Sequence, residues 1–163
     1  MTMRKAIQDD TCFRSPIPFL SPLTCCEQGF VYFGSWPTQI PEPYCVYKDA
    51  RYLVIQLDVH KARNVQNRPE VARQLVIPRA ALNWLAYRVR HPFAQREGYE
   101  SVFDGETLKV HRSATAAGEG VTGFVIQNLS RSFSTRQPQQ LLICDDFMHE
   151  YLVPLMEALN SGS

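Results

Sequence analysis

The sequence predicts an α+β protein built from two tandem ββββα repeats, with curved antiparallel sheets and helices packed on one side of them. In residues 51–90 a strand, a polar connection and a second strand lead into an apolar helix, and residues 123–159 repeat this order. The first strands of both stretches contain Val-Ile-Gln, and the second strands contain Gln-Leu-(Val/Leu)-Ile. Because one four-stranded sheet with one helix buries little apolar surface, we expect the two repeats to form one domain.

Length and composition are those of an ordinary globular chain. Of 163 residues, 45% are hydrophobic and 20% are charged, which suits one sizeable core and excludes a disordered protein. No apolar run approaches the ~20 residues that span a bilayer, so we expect no membrane association. The five cysteines include no C-x-x-C and no cysteine–histidine spacing typical of zinc. We therefore expect reduced thiols, an intracellular compartment and no cofactor or metal.

Residues 1–27 form a proline-rich arm. Pro16, Pro18 and Pro22 exclude a helix, while the apolar residues between them favour contact with a surface. We expect the arm to lie on the body of the protein or on a partner subunit. The first repeat covers residues 28–93, with predicted strands at 28–36, 44–48, 51–61 and 73–78 and a helix that begins at about residue 79.

The third strand of the first repeat has the clearest alternation in the chain. Leu53, Ile55 and Leu57 fall on one face, and the residues between them, which include a glutamine, fall on the other. One apolar face and one mixed face are typical of a sheet that is packed on one side and open on the other. We expect both sheets to have such an open face.

The second repeat covers residues 94–163 and has the same order of elements. Its predicted strands are 99–104, 107–112, 121–131 and 139–144. Asp145 stands where a helix cap belongs, and the helix that follows has a broad apolar stripe. Pro154 lies inside this stripe, so we expect a kink or a later start. In the first repeat, Leu82, Leu85 and Val89 form the corresponding core-facing stripe.

The net charge of +1 conceals an uneven distribution. Residues 30–93 carry nine Lys or Arg and four acids, whereas residues 94–163 carry five Lys or Arg and nine acids. This division indicates either that the first half faces an anionic partner or that the two halves attract each other or a neighbouring subunit.

The repeated unit resembles the PUR-repeat proteins and the Whirly family, together with the Whirly-type mitochondrial RNA-binding proteins of kinetoplastids. The resemblance is carried by residues 51–55 and 74–82 and by their counterparts at 124–126 and 141–143, and it spans about residues 28–160. It implies binding of single-stranded RNA or DNA by a homo- or hetero-oligomer, in which a more basic homologous subunit is one option. It also makes a mitochondrial location an option.

A single strand needs basic side chains that neutralise phosphates and planar side chains on which bases stack. The first repeat interleaves both types, and the loop at residues 61–73 is strongly basic. The predicted nucleic-acid-binding residues are Tyr44, Tyr47, Lys48, Arg51, Tyr52, Lys61, Arg63, Arg68 and Arg73 in the first repeat and Lys109, Arg112, Arg131 and Arg136 in the second.

Two other functions stay open at this point. The same fold could be a protein-interaction or scaffold subunit of a larger complex without nucleic-acid binding, which the proline-rich arm and the acidic second half favour. The adjacent Cys25 and Cys26 could serve a thiol-dependent regulator. We expect no enzyme, because the chain has neither a G-x-S-x-G motif nor a glycine-rich phosphate loop.

Overall fold

A computed structural model describes residue 17 and residues 20–36, 44–57, 74–91, 98–113, 123–132 and 138–160. These residues form two four-stranded antiparallel sheets, each followed by a helix, which confirms the α+β class and the repeated order of elements. Each strand pairs with its neighbours in sequence. Sheet 1 contains β1 (Val31–Trp36), β2 (Tyr44–Lys48), β3 (Tyr52–Leu57) and β4 (Gln74–Pro78). Sheet 2 contains β5 (Tyr99–Phe103), β6 (Glu106–Ser113), β7 (Gly123–Ser132) and β8 (Pro138–Cys144).

The two sheets have the same register at corresponding positions. In sheet 1, Leu53 of β3 lies opposite Ile77 of β4. In sheet 2, Phe124 of β7 lies opposite Ile143 of β8. Counting from these two pairs assigns the paired residues of β2, β3 and β4 their equivalents in β6, β7 and β8, and the comparisons below use that correspondence.

A helix follows the last strand of each sheet. A 3₁₀ turn, Arg79–Ala81, leads into α1 (Leu82–Arg90). The second helix, α2, has three consecutive parts: Asp145–Phe147, the π-helical Met148–Leu152 and Val153–Asn160. The disturbance expected at Pro154 therefore takes the form of a π-helical turn just before it, because proline cannot donate the backbone hydrogen bond that a regular α-helix needs there.

One apolar core is shared by both sheets and both helices. Ile55 of sheet 1 and Ile126 of sheet 2 belong to the same buried cluster, which also contains Leu85 of α1 and Met156 of α2. Each of these four residues is 0% exposed. Because full burial of such a side chain contributes about 1.5–3 kcal/mol, the apolar skeleton shared by the repeats accounts for their packing together.

The last strand of each sheet, β4 or β8, lies at a sheet edge and is hydrogen-bonded by side chains from the other repeat. On β4, the Val76 N–H donates to Gln139 Oε1 at 2.9 Å, and the Val76 carbonyl accepts from Asn128 Nδ2 at 2.8 Å. On β8, the carbonyl of Leu142, the equivalent of Val76, accepts from the hydroxyl of Tyr44. These bonds occupy backbone groups that would otherwise be unpaired at a sheet edge.

The N-terminal arm covers the outer face of sheet 1, which is the face turned away from the shared core. Leu20 and Cys25 of the arm, together with Phe30 just after it, are 3%, 3% and 6% exposed, and they pack against the outer-face residues of β2, β3 and β4. The backbone of Leu20 is hydrogen-bonded to the side chain of Gln56. The prediction that the arm lies on the body of the protein is confirmed for these residues, whereas the prediction of an open face is wrong for sheet 1.

Candidate nucleic-acid interface

Tyr44 and Tyr47 do not offer stacking surfaces, so these two predictions are wrong. Each is 1% exposed. The ring of Tyr44 stacks on Phe147 with 4.7 Å between centroids, and its hydroxyl donates to Leu142. Burial raises the pKa of Tyr44 well above its usual range. Tyr47 lies under the arm, where its hydroxyl donates to the Leu20 carbonyl at 3.4 Å. Successive strand residues face opposite sides, and here both sides are covered.

Arg131 is also withdrawn from the predicted surface, because it forms a buried ion pair. Its guanidinium donates to the two carboxylate oxygens of Glu106 at 2.6 and 3.1 Å, and the two side chains are 7% and 0% exposed. Burial acts to lower the pKa of Arg131, but the hydrogen bonds and charge of Glu106 outweigh it and raise the pKa. Arg131 also donates to the hydroxyl of Tyr52 at 3.1 Å, so this pair links the two repeats.

Five predicted residues lie outside the described part of the chain, and their roles stay predictions: Lys61, Arg63, Arg68, Arg73 and Arg136. The first four belong to the connection between Leu57, where β3 ends, and Gln74, where β4 begins. Those two strand ends lie at the end of sheet 1 opposite to the β2–β3 turn, because β2, β3 and β4 are antiparallel neighbours.

Three cationic residues lie at or beside the β2–β3 turn of sheet 1. We call Lys48, Arg51, Tyr52 and Arg79 the basic corner. The Arg79 N–H donates to the Arg51 carbonyl at 2.9 Å, which joins the start of the helical turn to the start of β3. The Asp49 N–H donates to the Tyr52 carbonyl at 3.0 Å and closes the turn. Lys48 is the last residue of β2, so all three cations project from one end of sheet 1.

Asp49, the acid within this turn, is engaged with the backbone. Its Oδ1 accepts from the N–H groups of Arg51 and Tyr52 at 2.8 and 2.7 Å. Such a carboxylate fixes the turn in the way typical of aspartate at this position. The Arg79 guanidinium donates to the carbonyls of Asp49 and Leu159 at 3.0 and 3.2 Å, which holds its charge beside the turn. Among the described residues, the turn and the basic corner together therefore carry three positive side chains and one negative side chain, that of Asp49.

Aromatic rings lie beside two of these cations. Lys48 Nζ lies 5.9 Å from the ring centroid of Phe33, which is 36% exposed. A β-bulge between Tyr32 and Gly34, where Gly34 has φ 133°, shifts the register of β1 next to this ring. Arg51 Cζ lies 5.3 Å from the centroid of Tyr52, a half-buried ring. The corner thus combines positive charge with a partly exposed aromatic surface.

At the equivalent position of the second repeat, the cation is paired with a carboxylate. Lys48 lies opposite Leu53 in sheet 1, and Arg112 lies opposite Phe124 in sheet 2, so Arg112 is the equivalent of Lys48. Arg112 donates to both carboxylate oxygens of Asp145 at 2.5 and 2.9 Å. This hydrogen bonding with Asp145 raises the pKa of Arg112. The predicted phosphate contact at Arg112 is therefore already occupied by a carboxylate.

Asp145 is itself the equivalent of Arg79. Each stands two residues after the isoleucine that ends the core pattern, Ile77 in sheet 1 and Ile143 in sheet 2. The same backbone position therefore carries a positive charge in the first repeat and a negative charge in the second. This reversal of sign is one contribution to the uneven charge distribution of the sequence.

Lys109 lies on the outer face of sheet 2, away from the corner of its own repeat. It is opposite Glu100 on β5 and Gln127 on β7. His111 follows on the same face, and burial together with the charge of Lys109 lowers its pKa. The imidazole is therefore mostly neutral near pH 7.

The sequence analysis missed Phe33 and Arg79 as parts of the corner. Arg79 is separated from Lys48 and Arg51 by a long stretch of chain, and only the pairing of Tyr52 with Pro78 brings it beside them. A signal for Arg79 was available, because the residue just after a predicted strand lies beside the start of its antiparallel neighbour. Phe33 had no comparable signal, since its exposure depends on the bulge.

Comparisons with protein-family models, with curated proteins and with solved structures find no match to this chain. Within the described ranges, no group of three or more histidine, cysteine, aspartate or glutamate side chains is arranged to hold a metal ion. The described helices also include none with the length and apolar character needed to cross a bilayer.

Proposed function

We propose that this chain binds single-stranded nucleic acid, RNA or DNA, as a non-catalytic subunit of an oligomer, and that the basic corner is its contact surface. The contrast between the two equivalent corners carries the proposal. Lys48 and Arg79 stand where the other repeat has an ion pair between Arg112 and Asp145. A phosphate backbone is attracted to the first arrangement and gains little from the second, where the carboxylate already neutralises the cation.

The mechanism has an electrostatic part and a stacking part. Lys48 and Arg51 neutralise phosphates and release counterions, which makes affinity fall as salt rises. Bases stack on the exposed part of Phe33 or on the guanidinium plane of Arg51, each stacked base contributing about 1–3 kcal/mol. Both contributions tolerate many sequences, so we expect little base specificity.

The order of strands and helices supports placing the chain with the PUR-repeat and Whirly proteins, which is part of the proposal. With a net charge of only +1, one copy offers a small positive surface. Association with further copies or with a more basic homologous subunit would extend that surface into a longer track.

Charge removal at the corner tests this proposal. In the double variant Lys48→Ala/Arg51→Ala, we expect the affinity for a labelled 15-nucleotide oligo(dT) or oligo(U) to fall about tenfold or more. Because each phosphate contact contributes about 0.7 to the dependence of log K on log salt, the slope should fall by about 1.4. Filter binding at four salt concentrations gives both values.

The matched control is Arg90→Ala/Arg112→Ala, which removes the same charge from two exposed ion pairs, with Glu157 and Asp145. It should bind the oligonucleotides within about threefold of the unchanged protein. Equal losses in both double variants would mean that only total charge matters and would remove the corner from the site. Binding that does not weaken with salt, or no binding at all, would refute the function.

A protein-interaction subunit without nucleic-acid binding is the second candidate. It is favoured by a specific observation: the outer face of sheet 1 already holds a polypeptide segment, the arm, through side-chain hydrogen bonds to its backbone. The salt series separates the two candidates, because a protein-interaction subunit would leave the oligonucleotides unbound.

A further inference from the structure

A positively charged side chain whose donors are unused lies near the end of α1, beside two tyrosine rings. Arg88 Cζ is 4.0 Å from the ring centroid of Tyr99 on β5 and 5.5 Å from that of Tyr87. Arg88 is half-buried, and its buried Nε has no hydrogen-bond partner among the described residues. Buried polar atoms nearly always have one. Arg88 therefore differs from Arg112 and Arg131, whose guanidinium groups are engaged by carboxylates.

Packing between α1 and β5 fixes the position of Arg88. One turn before it, Trp84 packs on Phe103 with 5.2 Å between ring centroids, and both rings lie against the shared core. Tyr99 packs against the same core, so the ring beside the guanidinium is held in place. Cations in the last turn of a helix commonly pair with its terminal carbonyls. Among the described residues Arg88 makes no such bond and lies over Tyr99 instead.

Tyr87 and His91 form an exposed ring pair next to this guanidinium. Their ring centroids are 4.2 Å apart, the angle between the ring planes is 27°, and Tyr87 is 52% exposed. The backbone N–H of His91 donates to the Tyr87 carbonyl at 3.1 Å, and His91 Nδ1 lies 2.9 Å from the same oxygen. The pair is therefore an ordered, exposed planar surface on which a further ring can stack.

No acidic side chain of the described residues neutralises Arg88. Residues 79–91 contain no Asp or Glu. Glu157 of α2 is engaged by Arg90, whose guanidinium donates to both of its carboxylate oxygens at 2.7 and 2.9 Å. Glu100 follows Tyr99 on β5, and because successive strand residues face opposite sides, its side chain points away from the face that Arg88 covers. Within the described chain, the positive charge beside the ring pair is therefore uncompensated.

We propose that the Tyr87–His91 ring pair and Arg88 form a second contact for single-stranded nucleic acid. A base stacks on the ring pair, and the adjoining phosphate accepts from the Arg88 guanidinium. A nucleotide joins a planar ring to an anion, which is the combination that these side chains complement. The inference rests on the proposed function and extends it beyond the basic corner. Tyr87 lies roughly 12–14 Å along the helix from Arg79, a distance that one bound strand can span.

A protein partner fits this surface less well. The core of a protein–protein interface is usually apolar and fully desolvated. The exposed residues of α1 are Asn83, Tyr87 and Arg90, whereas its leucines and Val89 are buried. One exposed tyrosine offers little of such a core, but a stacked base needs only the face of a ring.

Two substitutions of Tyr87 test the stacking contact in the full-length protein. Tyr87→Leu removes the ring, and we expect its affinity for a labelled 15-nucleotide oligo(dT) to fall about fivefold or more. Tyr87→Phe keeps the ring and should bind within about twofold of the unchanged protein, because stacking needs no hydroxyl group. Filter binding measures both affinities, and the exposure of Tyr87 makes loss of folding in either variant a minor concern.

Arg88→Gln tests the phosphate contact, and Arg90→Gln is its matched control. Each removes one positive charge from the last turn of α1, but Arg90 is already paired with Glu157. In Arg88→Gln the dependence of log K on log salt should fall by about 0.7, whereas in Arg90→Gln it should stay unchanged. If Arg88→Gln lowers the melting temperature, the comparison of Tyr87→Leu with Tyr87→Phe decides.

Three results would overturn this inference. If Tyr87→Leu binds as tightly as the unchanged protein while Lys48→Ala/Arg51→Ala loses affinity, the proposed function stands and the second contact falls. If a deca-aspartate peptide displaces the oligonucleotide and itself binds more weakly to Tyr87→Leu, the surface belongs to an acidic protein partner. If the unchanged protein binds no oligonucleotide at all, the proposed function fails and this inference fails with it.

Discussion

Lys48 and Arg112 occupy the same position in the two repeats but lie in opposite electrostatic surroundings. Lys48 shares its corner with Arg51 and Arg79, while Arg112 is paired with Asp145 at 2.5 and 2.9 Å. The backbone registers around them are the same. The first repeat therefore places two cations, Lys48 and Arg79, where the second repeat places an ion pair.

The outer faces of the two sheets differ in how deeply their equivalent glutamines are buried. Gln56 is 1% exposed because the arm lies over it, and its amide is fully engaged with Leu20. Its equivalent, Gln127, is half-buried and has no arm above it among the described residues. Among the described residues, the first repeat therefore combines a cationic corner with a covered outer face, whereas the second combines an ion-paired corner with a glutamine pair that is only half-buried. The same apolar skeleton thus occurs twice, with different side chains at the corners and on the outer faces.

The largest expected effect on stability concerns the buried ion pair between Arg131 and Glu106. Glu106→Gln should lower the free energy of unfolding by about 3–5 kcal/mol, because it leaves the buried guanidinium of Arg131 without its counter-charge. Urea denaturation measures the loss. Asp145→Asn, in the exposed ion pair with Arg112, should cost less than about 1 kcal/mol. Equal losses in the two variants would contradict the burial difference on which the comparison depends.

A smaller effect distinguishes the two outer faces. Gln56→Ala should cost about 2–4 kcal/mol, because it leaves the buried N–H and carbonyl of Leu20 without partners. Gln127→Ala, at the equivalent position, should cost less than about 1 kcal/mol, since only one hydrogen bond between half-buried groups is lost. Urea denaturation of the two variants under the same conditions gives the difference. If Gln127→Ala is as harmful as Gln56→Ala, the second face is covered as fully as the first.

The smallest expected effect on stability comes from Asp145→Lys, the substitution that removes the difference in charge between the two corners. Asp145→Lys should change the free energy of unfolding by less than about 1 kcal/mol, but it gives the second repeat a cationic corner. If nucleic acid binds at such corners, the salt slope for oligo(dT) should rise by about 0.7 for each phosphate gained.

Glu157→Lys is the control for that change, because it alters the charge equally and breaks a comparable exposed ion pair, with Arg90. Its salt slope should stay close to that of the unchanged protein. A rise of equal size in both variants would show that binding follows total charge and not the geometry of the corner.

Much of the fold could be predicted from the sequence because the apolar pattern is local. The alternation in β3 places Leu53 and Ile55 in the core, and the stripe in α1 buries Leu85 and Val89, as expected. The turn at Asp49 was also predictable, because aspartate commonly bonds to the backbone two residues on. These features depend on neighbouring residues alone.

The prediction of the site was only partly successful, because exposure depends on distant parts of the chain. Tyr44 and Tyr47 alternate onto opposite faces as expected, but the shared core covers one and the arm covers the other. The sequence suggested that Arg131 is a surface cation, but Glu106 on another strand forms a buried ion pair with it. Lys48 and Arg51 are the predicted cations that the structure places together at one accessible end of sheet 1.

The sequence by itself determined the repeated α+β skeleton, the short turns and the uneven distribution of charge, since each is encoded in residue order and composition. Only the tertiary structure decided which charges meet and which faces are covered. Those outcomes depend on contacts between residues far apart in the chain, such as Arg79 with Asp49, Arg131 with Glu106, and the arm with Gln56. Apolar periodicity specifies which face of a strand or helix is buried, but tertiary packing determines which part of the chain covers that face.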